Sequence, residues 1–150
     1  MSKYHTKEKQ YVTSVTLMVK DIKRSLAFYQ SVLGLKILNQ TADQVYELGT
    51  ETGTVLVRLF ESDQAQPKMR TTGLYHFALL LPNRAALGQF IKHIIKLQQG
   101  ITGGSDHGVS EALYLDDPDG NGIEIYADKS DRVWKNAEGQ IEMFTEVMDY

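Results

Sequence analysis

The order of hydrophobic and polar positions predicts the same set of elements twice along the chain. A strand over residues 11–19 is rich in β-branched side chains. A helix follows Asp21, whose carboxylate suits an N-cap, and its apolar residues recur at helical spacing as far as Leu33. Gly34 is placed to end this helix in the left-handed conformation that glycine tolerates. Three further strands are predicted over residues 35–39, 44–48 and 54–60.

The second half of the chain repeats this pattern after a polar linker over residues 61–73 that contains Pro67. A strand is predicted over residues 74–81, and Asn83 caps a helix that runs to Leu97. Glycines then break the helix, and a Pro- and Gly-containing turn at residues 117–121 joins two strands. The glycines are Gly100, Gly103 and Gly104, and the two strands cover residues 109–115 and 122–127. Beyond the repeat, residues 141–147 are predicted to form a last short strand.

Superposing the two halves tests the repeat. A shift of about 62 positions places Leu17 on Leu79 and Phe28 on Phe90, and a shift of about 66 places residues 57–60 on 123–126. Two copies are too few for a solenoid. The sequence therefore predicts an α+β fold in which two βαβββ modules, about 11–60 and 74–127, each present a four-stranded curved sheet to a shared cleft.

Composition narrows the classes of function. The 150 residues contain no cysteine, which excludes disulfides and thiolate metal ligands. No apolar run approaches the roughly 18 residues that span a bilayer. The net charge is −3 and the basic residues are scattered, which argues against a nucleic-acid surface. We therefore expect a single-domain cytoplasmic protein that acts on a small molecule, without membrane or nucleic-acid partners.

Three stretches resemble one superfamily. They are the run V-x-D-x-x-x-S-x-x-F-Y-x-x-x-L-G over residues 19–34, YHFALLLP, and DHGVSEALYLDDPDGNGIEIY. Over residues 12–127 the chain resembles the vicinal-oxygen-chelate superfamily, which includes glyoxalase I, bleomycin-binding proteins, fosfomycin-modifying enzymes and type I extradiol dioxygenases. It is most similar to the N-terminal domain of catechol-2,3-dioxygenase-like proteins, which usually contain two such domains in a longer chain.

The resemblance implies that His76 and Glu124 are metal ligands. Strand alternation places His76 on one face with Leu74, Ala78 and Leu80. An imidazole nitrogen and a carboxylate oxygen suit a divalent metal, iron(II) first and then manganese, zinc or nickel. Two alternatives stay open at this point: His76 as a hydrogen-bonded histidine of the core or cleft, and Glu124 as the solvent-facing residue of its strand.

Two positions that bind metal elsewhere in the superfamily carry other residues here. The repeat maps His76 onto Ser14 and Glu124 onto Arg58. A serine hydroxyl is a poor ligand for these metals, and a guanidinium cannot bind them. This argues against glyoxalase I activity and leaves ring cleavage by this domain alone unsupported.

The resemblance also assigns catalytic roles to Tyr114 and His107. Tyr114 precedes Glu124 by ten residues, the spacing of the extradiol active-site tyrosine, and would hydrogen-bond a substrate hydroxylate. His107 would handle protons. The alternatives are a core aromatic residue in a strand and an ordinary loop histidine. His5 and His93 are interpreted as bystanders, the latter on the solvent side of its helix.

Two functions are consistent with these residues. The first is a metal-dependent, extradiol-type ring-cleaving dioxygenase that acts on a small aromatic or vicinal-oxygen substrate. The second is a metal-free domain of the same family that binds a small ligand or packs against a second domain. In either case we expect a homodimer or packing with another domain of the same type.

Overall fold

The computed structural model describes residues 12–66 and 73–149, which form two compact units. The first unit contains the described residues up to 75 together with the turn Asp117–Asn121. The second unit contains His76–Asp116 and residues 122–149. The predicted start of the first strand at Tyr11, most of the predicted linker after Gln66, and His5 lie outside the described residues.

The first unit is a four-stranded sheet with one helix. Its strands lie in the order β1-β4-β3-β2, with β1 parallel to β4 and the other pairs antiparallel. The elements are β1 Val15–Val19, α1 Ile22–Ser31, β2 Lys36–Gln40, β3 Tyr46–Gly49 and β4 Val55–Glu61. The register pairs Val15 with Val57 and Leu17 with Leu59.

Both predicted ends of α1 are confirmed. The Asp21 side chain accepts a hydrogen bond from the backbone N–H of Arg24 at 3.0 Å, which satisfies one of the free N–H groups of the first turn. Gly34 has φ +71°, and the N–H of Leu35 donates to the carbonyl of Tyr29 at 3.1 Å. Glycine permits this left-handed turn, which closes the helix with a Schellman-type bond.

The second unit repeats this arrangement and adds a strand. Its order is β5-β8-β7-β6-β9, with β5 parallel to β8 and the other pairs antiparallel. The elements are β5 Phe77–Leu81, α2 Arg84–Leu97, β6 Gly103–Asp106, β7 Ser110–Asp116, β8 Gly122–Asp128, a single 3-10 turn at Asp131–Val133 and β9 Glu146–Val147. Within the described ranges no helix is long and apolar enough to cross a membrane.

Strand pairing shows the internal repeat directly. Val15 pairs with Val57 in the first sheet, and Phe77 pairs with Ile123 in the second. Phe77 lies 62 residues after Val15, and Ile123 lies 66 residues after Val57, which are the shifts that the sequence predicts. Alternate residues of β4 and β8 are buried beneath α1 and α2, as Val57 and Ile123 show. Arg58 and Glu124 consequently lie on the opposite side of their sheets, which we call the open face of each unit.

Two expectations about the second half were wrong. Gly103 and Gly104 were expected only to break the helix, but they lie in β6, which no predicted strand included, and pair with Tyr114 and Leu113. Glycine has little strand propensity, and pairing with β7 stabilises this strand. Helix α2 ends before these glycines, and the left-handed residue that follows it is Gln98, with φ 53°. The last strand is confined to Glu146–Val147 instead of extending over residues 141–147.

Candidate functional site

His76 and Glu124 meet on the open face of the second unit. His76 comes directly before β5 and has the same orientation as Ala78, which pairs with Glu124 in β8. Its Nε2 lies 2.9 Å from Glu124 Oε2, and the two side chains are 27% and 14% exposed. Glu124 is therefore not the solvent-facing residue of its strand.

Tyr114 extends this contact to the next strand. Tyr114 and Glu124 are direct partners across β7 and β8, and the Tyr114 hydroxyl donates to Glu124 Oε1 at 3.1 Å. Each oxygen of the Glu124 carboxylate thus has its own partner, since His76 contacts Oε2. The structure places Tyr114 in the polar cluster rather than in the core, where its neighbours Leu113 and Leu115 are buried.

His107 completes the line of side chains. It follows β6 in the turn before β7, and its Nε2 lies 2.8 Å from the Tyr114 hydroxyl. Its Nδ1 lies 3.1 Å from the backbone carbonyl oxygen of Phe144. His107 is thus held from both sides, and four side chains that the sequence singled out form one continuous chain of contacts: His76, Glu124, Tyr114 and His107.

The Tyr114 hydroxyl lies between the Glu124 carboxylate and the His107 ring. It donates to Glu124 Oε1, and whether His107 Nε2 donates or accepts depends on the tautomer of the ring.

Tyr126 lies on the same face of β8, two residues beyond Glu124. Burial raises the pKa of its hydroxyl above the usual value, and the negative charges of Asp128 and Glu124 add to the effect. Tyr126 therefore stays neutral beside the site. Tyr126 was not among the predicted site residues, although strand alternation alone places it on the same face as Glu124.

The first unit carries a different set at the equivalent positions. Arg58 takes the place of Glu124, and its Nη1 donates to Ser14 Oγ at 2.5 Å. Its Nε donates to Glu47 Oε1 at 2.8 Å, and Glu47 is its partner across β3 and β4, as Tyr114 is for Glu124. The Asn39 side-chain amide donates to the other carboxylate oxygen of Glu47 at 3.1 Å. Arg58 is thus ion-paired with Glu47 and hydrogen-bonded to Ser14.

Glu47 is the residue of this set that sequence analysis missed. Hydrogen bonds from Asn39 and then Arg58, together with the Arg58 charge, hold the pKa of its carboxyl below the usual value. It is ionised at neutral pH and offsets the positive charge of Arg58. The spacing of eleven residues between them carried no signal until the pairing of β3 with β4 was known.

His76 and Glu124 bring an imidazole nitrogen and a carboxylate oxygen into direct contact at 2.9 Å, and both are donor types that suit a divalent metal. Among the residues that the structure describes, no group of three or more histidine, aspartate and glutamate side chains is placed to hold a metal ion. A metal bound on this face would be held by His76 and Glu124, with its other ligands from elsewhere.

His93 lies on α2, outside the line of contacts from His76 to His107. Its ring is half-buried on α2, with its centroid 6.5 Å from that of Phe90. The expectation of a solvent-facing histidine was thus only partly met.

Sequence comparison supports the same family. The family model for the Glyoxalase/Bleomycin resistance protein/Dioxygenase superfamily matches residues 11–125. A catechol-2,3-dioxygenase of Bacillus subtilis (strain 168) is 43% identical over 146 residues, which cover 95% of this chain and 50% of that protein. A lactoylglutathione lyase of Salmonella typhimurium is 28% identical over 120 residues, covering 73% of this chain and 86% of the lyase. The chain thus spans about half the length of the first of these relatives.

Solved structures share the fold. A glyoxalase/dioxygenase from Nostoc punctiforme superposes with a TM-score of 0.65 at 25% identity, covering 81% of this chain and 92% of that one. A glyoxalase/bleomycin resistance protein/dioxygenase from Alicyclobacillus acidocaldarius has a TM-score of 0.63 at 19% identity, covering 82% and 95%. With the repeated strand register and the matched family model, these similarities establish that the chain belongs to the glyoxalase/bleomycin resistance/dioxygenase superfamily.

Proposed function

We propose that the open face of the second unit binds a divalent metal through His76 and Glu124 and takes part in extradiol-type cleavage of a catecholic or similar vicinal-oxygen substrate. The observation that carries this proposal is the unbroken line of contacts from His76 to His107. The similarity to a catechol-2,3-dioxygenase supports the choice of substrate class.

The residues of the cluster have two roles in this proposal: two of them hold the metal and two contact the substrate. A bound metal supplies Lewis-acid chelation of two neighbouring substrate oxygens. His76 and Glu124 hold it with one neutral and one anionic donor, a set that suits iron(II) first and then manganese, zinc or nickel. Tyr114 is placed to hydrogen-bond a substrate oxygen, and His107 holds or releases a proton at Nε2 beside it. Further ligands come from water or from residues beyond this pair.

Elemental analysis of the full chain, purified without chelator and supplemented with each metal, tests the proposal. We expect roughly one equivalent of metal per chain, and we expect His76→Ala and Glu124→Gln to lose it. Ser14→Ala and Glu47→Gln are matched controls, because they alter the equivalent set of the first unit, and should keep the metal. A wild-type protein that binds no metal would remove the basis of the proposal.

A second candidate is a non-catalytic, metal-free domain that binds a small ligand or packs against another domain. The ion pair of Arg58 with Glu47 favours this candidate. In the first unit, a position that binds metal elsewhere in the superfamily carries Arg58, and Arg58 is bonded to Glu47 instead. Under this proposal catechol binds equally well with and without metal, and the isolated chain does not oxidise it. Detectable ring cleavage by this chain would exclude the second candidate.

We also propose that the chain assembles as a homodimer or packs against a second domain of the same type. Exposed apolar side chains support this, and three of them lie near the C-terminus: Met143, Phe144 and Val147. Light scattering of the purified chain tests the homodimer. A clean monomer at high concentration would contradict it.

A further inference from the structure

The C-terminal residues contact His107 through the Phe144 backbone and through the Thr145 hydroxyl, whose Oγ1 lies 3.5 Å from His107 Nδ1. The carbonyl oxygen of Phe144 lies 3.1 Å from His107 Nδ1, and the N–H of Phe144 faces the carbonyl of His107 at 3.4 Å. A carbonyl oxygen can only accept, so this contact is a hydrogen bond only when Nδ1 carries a proton. In the neutral ring the lone pair is then at Nε2, which faces the Tyr114 hydroxyl at 2.8 Å.

Several contacts hold these residues against the second unit. Strand β9 pairs with β6, the strand that leads into His107. Met148 is buried, with 3% of its surface exposed. The carbonyl of Asp149 accepts a hydrogen bond from Arg84 Nη2 at 3.2 Å. We call residues 141–149 the C-terminal strap. Phe144 lies against the turn at His107, and the contacts of β9, Met148 and Asp149 hold the residues that follow it.

Gly108 shows how closely the strap approaches that turn. Its φ is +76°, and a Cβ added there would lie 2.8 Å from Phe144 Cε1 and 3.1 Å from the carbonyl oxygen of Glu142. Real Cβ atoms do not approach other atoms this closely without a shift of one of them. A Cβ at position 108 would therefore force the Phe144 ring to shift and would crowd the Glu142 carbonyl, and the positive φ itself favours glycine.

We propose that the C-terminal strap is a positioning element for His107, which acts through the Phe144 carbonyl to keep the proton of the neutral ring on Nδ1. In this tautomer the lone pair of Nε2 faces the Tyr114 hydroxyl, whose single proton then lies between Nε2 and Glu124 Oε1. Its relevance to catalysis rests on the proposed function, in which His107 and Tyr114 act on the substrate together. Phe144 is thus a positioning residue that acts through its backbone carbonyl rather than through its side chain.

The tautomer can be read directly from the ring nitrogens of His107 in ¹⁵N-labelled, metal-free full-length protein by long-range ¹H–¹⁵N correlation. A His107→Gln variant assigns the signals among the four histidines. We expect the neutral ring to show a protonated Nδ1 and an unprotonated Nε2. A neutral ring with its proton on Nε2 would overturn the proposal.

Two pairs of full-length variants test the role of the strap. Gly108→Leu should displace it and move the ring towards a mixture of tautomers. Gly139→Leu is the matched control, since its φ is +77° but no atom lies within 4 Å of the added Cβ. Met148→Ser should loosen the strap in the same way, and Met148→Leu should restore the Nδ1–H form.

The outcomes separate this proposal from the metal site. Backbone amide spectra report whether each variant is folded and whether the signals of residues 144–148 have moved. If those signals move and the His107 tautomer does not, the strap has no positioning role. If the tautomer behaves as expected while no metal binds at His76 and Glu124, the strap proposal stands and the proposed function fails.

Discussion

Arg58 in β4 and Glu124 in β8 occupy equivalent positions in the two sheets, and each is hydrogen-bonded to its partner on the neighbouring antiparallel strand. For Arg58 that partner is Glu47, with Nε and Oε1 2.8 Å apart. For Glu124 it is Tyr114, whose hydroxyl donates at 3.1 Å. The same backbone positions thus hold an arginine paired with Glu47 in one unit and a glutamate that accepts a hydrogen bond from Tyr114 in the other.

The first prediction concerns the ion pair. Arg58→Met should lower the melting temperature, because Glu47 keeps its bond from Asn39 but loses its cation. The double variant Arg58→Met/Glu47→Gln should recover part of that loss, and thermal unfolding of all four proteins forms a double-mutant cycle. A double variant whose loss of stability equals the sum of the losses in the two single variants would show that the pair is not coupled.

Removing the Tyr114 hydroxyl should separate ligand binding from metal binding. In Tyr114→Phe the contact between His76 and Glu124 is retained, so the metal content should equal that of the wild type. Catechol affinity should fall roughly tenfold, as expected for the loss of about 1.4 kcal/mol from one hydrogen bond to a charged or polarised oxygen. Calorimetry measures both quantities, and Tyr46→Phe in the first unit is the control. A parallel loss of metal would place Tyr114 among the groups that hold it.

A third prediction concerns the buried hydrogen bond between Tyr29 and Asp117. The Tyr29 hydroxyl donates to Asp117 Oδ2 at 2.9 Å, and Asp117 also accepts from the backbone N–H groups of Asp119 and Asn121. Tyr29→Phe should lower the free energy of unfolding by about 1 kcal/mol. Asp117→Ala should cost more, since it leaves several buried donors without an acceptor. Urea unfolding at neutral pH measures both, with Tyr46→Phe as the control.

The same tyrosine predicts a change at alkaline pH. Burial, the Asp117 charge and the hydrogen bond to Asp117 raise the pKa of Tyr29 far above its ordinary value of 10.0. A group whose pKa is raised on folding stabilises the protein below its unfolded pKa, and this stabilisation is lost as the pH rises above it. The stability difference between wild type and Tyr29→Phe should therefore shrink above about pH 10. A difference that is constant or grows there would contradict the assignment.

Asp106 predicts the opposite dependence at acidic pH. Hydrogen bonds from Lys129, at 2.5 and 2.7 Å, and from the N–H of Gly108 lower the pKa of its carboxyl. The stabilisation is present above the ordinary pKa of 3.8 and is lost as the pH falls through the lowered value. Asp106→Asn should lower the melting temperature at pH 7 by roughly 2–4 °C, the shift that about 1 kcal/mol produces in a chain of this size.

Thermal unfolding over an acid series checks this prediction. The difference between wild type and Asp106→Asn should begin to close as the pH falls below the ordinary pKa of 3.8. Asp43→Asn is a matched control, because Asp43 is exposed in the turn before β3. If Asp43→Asn shows the same profile, the effect belongs to net charge rather than to the contact with Lys129.

The sequence by itself determined the elements, the repeat and half of the site. Apolar periodicity and caps are local properties, so the positions of α1, α2 and most strands could be predicted from residues close together in the chain. The 62- and 66-residue shifts placed His76 at the position of Ser14 and Glu124 at the position of Arg58, and the strand register confirms that alignment. The resemblance to the superfamily singled out His76 and Glu124, and the structure brings their side chains into contact.

Only the tertiary structure decided what these residues contact. The glycines of β6 have no strand propensity and pair because β7 supplies their partners. Glu47 lies eleven residues from Arg58, and the carbonyl of Phe144 lies 37 residues from His107. A cross-strand partner depends on register, and a backbone carbonyl is the same in every residue. The ion pair in one unit and the orientation of His107 in the other therefore depend on long-range packing, for which the sequence has no local signal.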